Sequence, residues 1–309
     1  LPGTSTFIII EKRKILLKGE STVSRLYSRE DIRNTYEYLQ EHMRAKTIIR
    51  EHALNRRDIR EVALNGLDLS GMKQVLDLGC GYGFFTEKLG GRLHEEARIL
   101  GIDLVDSDNR GEFLKTVEEI GYRGEFMRSG ADVIRGMDES SFDAVIASYS
   151  LYFFPHLIGD IARVVSPRGI FIAVTHSKYS LREVTDFVPR CMEKMGLMPP
   201  REIMINRLFQ SFSMEDGEEM LAPFFEKVER VIYRNDLLFP LESIDECIDY
   251  LDKKKHLIFK DVMESYPQMV GNMLSSFHAM VFEHAKAHGR IILTKDDAVF
   301  RCFRPRRKE

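Results

Sequence analysis

The sequence predicts an α/β fold built on a mostly parallel sheet. Between residues 74 and 177, short apolar runs alternate with stretches long enough to hold a helix, the layout of βαβ units. Those runs are continuously apolar, as strands covered on both faces require. The first of them leads into a turn with glycines at 79, 81 and 83, residues that accept positive φ and let backbone approach a ligand closely.

Taken in order, Phe7-Ile8-Ile9-Ile10 is an apolar run that Glu11-Lys12-Arg13-Lys14 cuts too short for a signal peptide. Ser28 and Asp31 mark a helix start, and Ile32, Tyr36, Leu39 and Met43 continue it as one apolar stripe. A second helix over 58–67 stops near Gly66 and Gly71. Strands follow at 75–78, 99–103, 124–127, 142–147 and 169–174. Beyond Ser177 come a helix over 182–195, Pro199-Pro200, a strand over 225–234, and about three helical segments over 240–288. The chain then closes with 291–294, a Lys-Asp-Asp turn and 298–303.

Composition excludes several function classes. A 44% hydrophobic, 30% charged chain of 309 residues can bury a core and is no disordered tract. The 45 basic and 48 acidic side chains leave a net charge of −3, too little field to hold nucleic acid non-specifically. Four cysteines at 80, 191, 247 and 302 form no CxxC pair, so no zinc site or disulfide framework is expected and the reducing cytoplasm is the expected location. No run reaches the roughly 20 apolar residues of a membrane span.

The chemistry concentrates in Val75-Leu76-Asp77-Leu78-Gly79-Cys80-Gly81-Tyr82-Gly83. A dinucleotide fingerprint needs glycine at 84, where Phe84 stands, which makes an NAD-dependent oxidoreductase the remote alternative. The segment resembles motif I of the class I S-adenosylmethionine (SAM)-dependent methyltransferases. The likeness continues through Asp103, 20 residues after Gly83, through Gly130-Ala131-Asp132-Val133, and through Ser141-Phe142-Asp143-Ala144-Val145 with the loop after it.

That resemblance implies a Rossmann-like methyltransferase sheet, mostly parallel and closed by an antiparallel last strand at 298–303 paired with 225–234. It implies SAM as cofactor and S-adenosylhomocysteine (SAH) as product. Carried over by position, the cofactor site is Asp77, Gly79, Cys80, Gly81, Tyr82, Gly83, Asp103, Leu104, Ala131, Asp132, Val133 and Ser148. Asp103 would take both ribose hydroxyls, a task suited to a carboxylate, with Asp106 its nearest competitor. Asp132 would face the adenine amino group. The implied domains are an N-terminal, mostly helical partial cap (1–70), the SAM-binding core (71–240), a helical insertion acting as substrate lid (241–288), and closing strands of the core sheet with a basic tail (289–309).

Methyl transfer from a sulfonium requires alignment more than acid–base help, and a base becomes useful when the acceptor is a hydroxyl. The catalytic candidates are His176, His156 and Tyr149. Tyr27, Tyr149, Tyr152 and His176 are the candidate acceptor contacts, since aromatic faces attract cations and pack apolar groups. Tyr36, Phe153 and Phe154 read as core. Ser148-Tyr149-Ser150-Leu151 stands where enzymes methylating adenine, cytosine or glutamine carry N/D-P-P-Y/F, so those acceptors are not expected. The leading expectation is transfer to an O or N nucleophile of a small molecule. An RNA or protein acceptor and a non-catalytic SAM-binding scaffold are the alternatives. No metal, membrane or nucleic-acid partner is expected, and a homo-oligomer is left open.

Overall fold

A computed structural model describes residues 26–307. The apolar run at 7–10, the rest of the chain before residue 26 and Lys308 of the basic tail lie outside the described residues.

The apolar runs become β1 (Gln74–Leu78), β2 (Arg98–Asp103), β3 (Arg123–Arg128), β4 (Phe142–Ser148) and β5 (Val165–His176). Four more strands follow: β6 (Phe225–Tyr233), β7 (Asp236–Pro240), β8 (Arg290–Thr294) and β9 (Asp297–Pro305). The seven-stranded sheet runs β3-β2-β1-β4-β5-β9-β6, and β9 is antiparallel to both neighbours. The antiparallel closing strand is therefore where the sequence places it.

Side chains alternate between the two faces. Val75, Ile99, Ala144 and Ile172 pack with Phe113 and Val117 of the helix Asn109–Glu119, while Leu76, Leu100, Val145 and Phe171 pack with the helix Ile158–Val164. Burial on both faces explains the apolar runs of β1, β2, β4 and β5, whereas the edge strand β3 has no buried residue.

Several expectations are corrected. The links after β1 and β3 hold only 3₁₀ turns, Thr86–Leu89 and Ala131–Gly136; Gly90 and Gly91, the latter at φ +69, stop the first. The long N-terminal stripe is two helices, Arg29–Tyr36 and Leu39–His52, broken at Tyr38, whose φ of −104 and ψ of 109 are extended. Met43 is consequently 42% exposed. The helix at 182–195 is likewise two pieces, Arg182–Thr185 and Phe187–Lys194.

The expected closing strand at 291–294 leaves the core sheet. As β8 it pairs with β7 in a separate two-stranded ladder. Both strands bend away at one level: the Lys295 N–H donates to the Asn235 carbonyl at 3.0 Å, and the Asn235 N–H to the Asp296 carboxylate at 2.8 Å. Between β7 and β8 lie four α-helices, Ile244–Asp252, Lys255–Ile258, Lys260–Ser265 and Val270–His288.

These helices join the N-terminal ones as a single cap. Arg44 pairs with Glu246 and Asp249 at 3.1 Å each, and His52 Nε2 lies 2.6 Å from Glu246. The Tyr27 hydroxyl donates to the Leu257 carbonyl at 2.8 Å, and Lys260 pairs with Asp31 at 2.6 Å. The exposed pairs add little stability, but the buried tyrosine and lysine fix the register of the two halves. Among the described residues no helix is long and apolar enough to cross a membrane.

Candidate active site

Strand order reverses between β1 and β4, and the crevice beyond the C-terminal ends of strands at such a point is where open α/β sheets bind ligands. The glycine turn opens there. Gly79 has φ +73, and a Cβ on it would stand 2.5 Å from Ser150 Cβ. The Ser150 hydroxyl in turn donates to the Leu78 carbonyl at 2.6 Å, holding the loop after β4 against the end of β1. Gly79→Ala is therefore expected to cost about 1–3 kcal/mol of stability through overpacking, checked by the urea midpoint; an unchanged midpoint would mean that Ser150 yields freely.

Gly81, at φ +51, has no atom within 4 Å of its Cβ position, so the turn is open above it. Its N–H donates to Asp103 Oδ2 at 2.8 Å, while Asp103 Oδ1 accepts the Val105 N–H at 2.8 Å. Each carboxylate oxygen has about two acceptor positions, and with the Leu104 amide also drawn to the carboxylate at least one remains for a ribose hydroxyl. Burial raises the Asp103 pKa above the usual range, against the lowering effect of the amides. Asp106 is engaged with Arg110 at 2.9 Å and drops out as competitor.

Three motif residues face away from the crevice. Asp77 is 1% exposed, accepts the Thr86 hydroxyl at 2.7 Å and is pushed up to about 7 by burial. Its position on β1 puts it with Val75 on the face opposite Leu76 and Leu78, so it supports the turn from beneath. Cys80 packs on Gly101, whose Cβ would meet the Cys80 sulfur at 2.7 Å. Tyr82 is buried, and its hydroxyl donates to the Tyr36 carbonyl at 3.0 Å. Ser107 likewise donates to the Glu37 carbonyl at 2.9 Å. The break between the first two helices thus straps across the turn and the end of β2, with the His42 ring stacked on Tyr36 at 5.5 Å.

Leu104 and Ser148 at strand ends, and Ala131, Asp132 and Val133 in the 3₁₀ turn after β3, are all half-buried. Asp132 sits 3.2 Å from His156 Nε2 and 3.0 Å from Arg135. His156, a catalytic candidate by sequence, is therefore a partner of Asp132. Tyr27 is also corrected: its buried hydroxyl is bound to Leu257, so it bolts the cap and presents no polar group to an acceptor.

The other candidates converge. Because β9 is antiparallel, its first residue, Asp297, pairs in register with the last residue of β5, His176. His176 Nδ1 is 2.7 Å from Asp297 Oδ1, the Tyr149 hydroxyl donates to Asp297 Oδ2 at 2.8 Å, and Lys295 Nζ donates to the same carboxylate at 3.0 Å. Asp297 is 2% exposed. Burial alone would raise its pKa, but Lys295 and His176 hold it below the usual carboxylate range. Burial, with Lys295 nearby, lowers His176 to about 4, so its ring is neutral at pH 7. Bonding Nδ1–H to the carboxylate leaves Nε2 as the acceptor nitrogen. The ring sits among Tyr149, Phe209 and Tyr152 at 4.6, 5.0 and 5.8 Å.

Tyr149 reaches Asp297 from a left-handed backbone, φ +55, a conformation costing a bulky residue about 1–3 kcal/mol. Burial and Asp297 raise its phenol well above the ordinary range, which suits a donor and excludes a base. Sequence reasoning missed Asp297, Lys295 and Ser150. The one available signal was a charge placed directly before the apolar run Ala298-Val299-Phe300.

Residues 75–169 match a family model described as methyltransferase domain. Those residues are a methyltransferase domain. The match begins in β1 and ends within β5, so the methyltransferase segment contains the glycine turn, Asp103, Asp132 and Tyr149, while His176 and Asp297 lie beyond it. No curated protein sequence matches the chain. Among solved structures, the cyclopropane synthase MmaA2 of Mycobacterium tuberculosis is 14% identical with a TM-score of 0.47, covering 89% of this chain and 98% of that one. Phosphoethanolamine N-methyltransferase 2 of Haemonchus contortus, in complex with phosphomonomethylethanolamine and SAH, is 14% identical with a TM-score of 0.47, covering 91% and 61%.

Proposed function

We propose that this methyltransferase moves the methyl group of SAM to an O or N nucleophile of a small molecule, with His176 as the base. The observation that carries the reading is the His176–Asp297 pair, buried at the edge of the sheet to which the glycine turn also opens. Gly79, Gly81 and Gly83 would give room to the methionine part of SAM, Asp103 would hold the ribose and Asp132 the adenine. The remaining acceptor capacity of Asp103 and the open space above Gly81 fit that group. Bound SAM supplies a methyl already activated by its positive sulfur.

His176 Nε2 accepts the proton of an acceptor hydroxyl, whereas an amine acceptor attacks in its neutral form and needs no base beforehand. A weak base is adequate, because the proton becomes strongly acidic as the new bond to carbon forms. Asp297 stabilises the imidazolium and keeps Nδ1 protonated, while Tyr149 and Lys295 hold the carboxylate in place. The cap helices exclude water, which strengthens each of these interactions. The same cap favours a small acceptor over RNA or protein, as does the net charge of −3.

Labelled SAM offered separately with deproteinised metabolites, RNA and protein tests the acceptor class. Label is expected in the metabolite fraction; label confined to RNA or protein would overturn the small-molecule reading. Because His176 is held to about 4, kcat/KM is expected to stay level down to about pH 5 and to fall below it as the ring protonates. An acid limb near 6.5 would mean that the ring titrates as a solvated imidazole.

A further inference from the structure

On the underside of the cap, the helix Ile244–Asp252 and the turn after it bring two polar groups over the His176–Asp297 pair. The Tyr250 side chain is fully buried, and its hydroxyl has no hydrogen-bond partner among the described residues. The Lys254 ammonium lies over the Tyr250 ring, 5.1 Å from its centre, and meets no carboxylate among the described residues. Neighbouring cap lysines are paired: Lys253 with Asp249 at 2.8 Å, and Lys260 with Asp31 at 2.6 Å. Lys254 meets no such partner and lies where Lys295, Asp297, His176 and His42 feel its charge.

The charges there do not balance. Lys254 and Lys295 face one carboxylate, Asp297, and His176 is neutral. A half-buried cation without a counter-ion and a fully buried hydroxyl without a partner are both unfavourable, and one ligand oxyanion would satisfy both. Burial and Lys295 lower Lys254 to about 8, as expected for an amine desolvated without a counter-ion.

We propose that Lys254 and Tyr250 bind an oxyanion of the methyl acceptor, a carboxylate or a phosphate, and so hold its nucleophile toward His176. This rests on the methyltransferase reading above and names its substrate class. The oxyanion takes one hydrogen bond from each residue, and the aromatic side chains of Tyr36, Tyr152 and Phe209 enclose the rest of the acceptor. A neutral acceptor would leave the extra cation unpaired.

The test uses the SAH-loaded full chain and calorimetry with benzoate, its neutral counterpart benzamide, and inorganic phosphate. Benzoate is expected to bind at least about tenfold more tightly than benzamide, the usual scale of a hydrogen bond to a charged group. Lys254→Met should bring that ratio to near one, Tyr250→Phe should reduce it, and Lys254→Arg should keep it. Phosphate displacing benzoate at lower concentration would identify a phosphoryl group as the occupant; benzoate binding that phosphate does not displace would identify a carboxylate. SAH affinity measured on every variant serves as the folding control and separates the two claims. If the parent does not bind SAH, the methyltransferase reading fails. If it binds SAH but prefers neither anion to benzamide, or if Lys254→Met keeps the preference, the anion site is wrong.

Discussion

His176→Ala is expected to slow methyl transfer about 10²–10⁴-fold, the range for a positioned general base, with SAH affinity unchanged. The loss should fall in kcat and kcat/KM together, since proton acceptance occurs in the transition state and adds nothing to ground-state binding. The imidazole is oriented by Asp297 at 2.7 Å and boxed by Tyr149, Tyr152 and Phe209, so no neighbouring group is placed to substitute. Single-turnover rates with an acceptor that the parent methylates supply the check. A variant with the parent's rate would reduce His176 to a packing residue and leave alignment as the sole catalytic device.

Asp297→Ala is expected to be the most destabilising single change at the site, costing about 3–5 kcal/mol, because it strands a buried cation. The Lys295 and Asp297 side chains are only 9% and 3% exposed, and the same change removes the partner of the Tyr149 hydroxyl. The double variant Asp297→Leu, Lys295→Met should recover most of that stability, since an apolar pair of similar volume often replaces a buried ion pair without loss, yet it should not recover activity. Urea midpoints of the three proteins make the comparison. A single variant that is as stable as the parent would show that water reaches Lys295.

Much of this architecture was legible in the chain because its signals are local. Four largely apolar runs and the mixed run Gly124-Glu125-Phe126-Met127 give β1 to β5, and the glycines at 79, 81 and 83 with Asp103 mark the crevice. Ser28 and Asp31 form the capping box that their spacing indicates. Catalytic geometry was less legible, since it depends on pairings between distant segments. Asp297 meets His176 only because β9 lies antiparallel beside β5, and Lys295-Asp296-Asp297 reads locally as a turn. Tyr250 and Lys254 look like an ordinary helix and its polar end until the cap is seated on the sheet. Nor does the sequence show that His156, beyond the fourth strand, lies 3.2 Å from Asp132.

Calorimetric titration with SAH tests the central claim most directly. One equivalent is expected to bind the parent, and Asp103→Ala should weaken it by about 1.5–3 kcal/mol, the range for hydrogen bonds to a charged group. Binding of NAD with no binding of SAH or SAM would contradict the methyltransferase site described here.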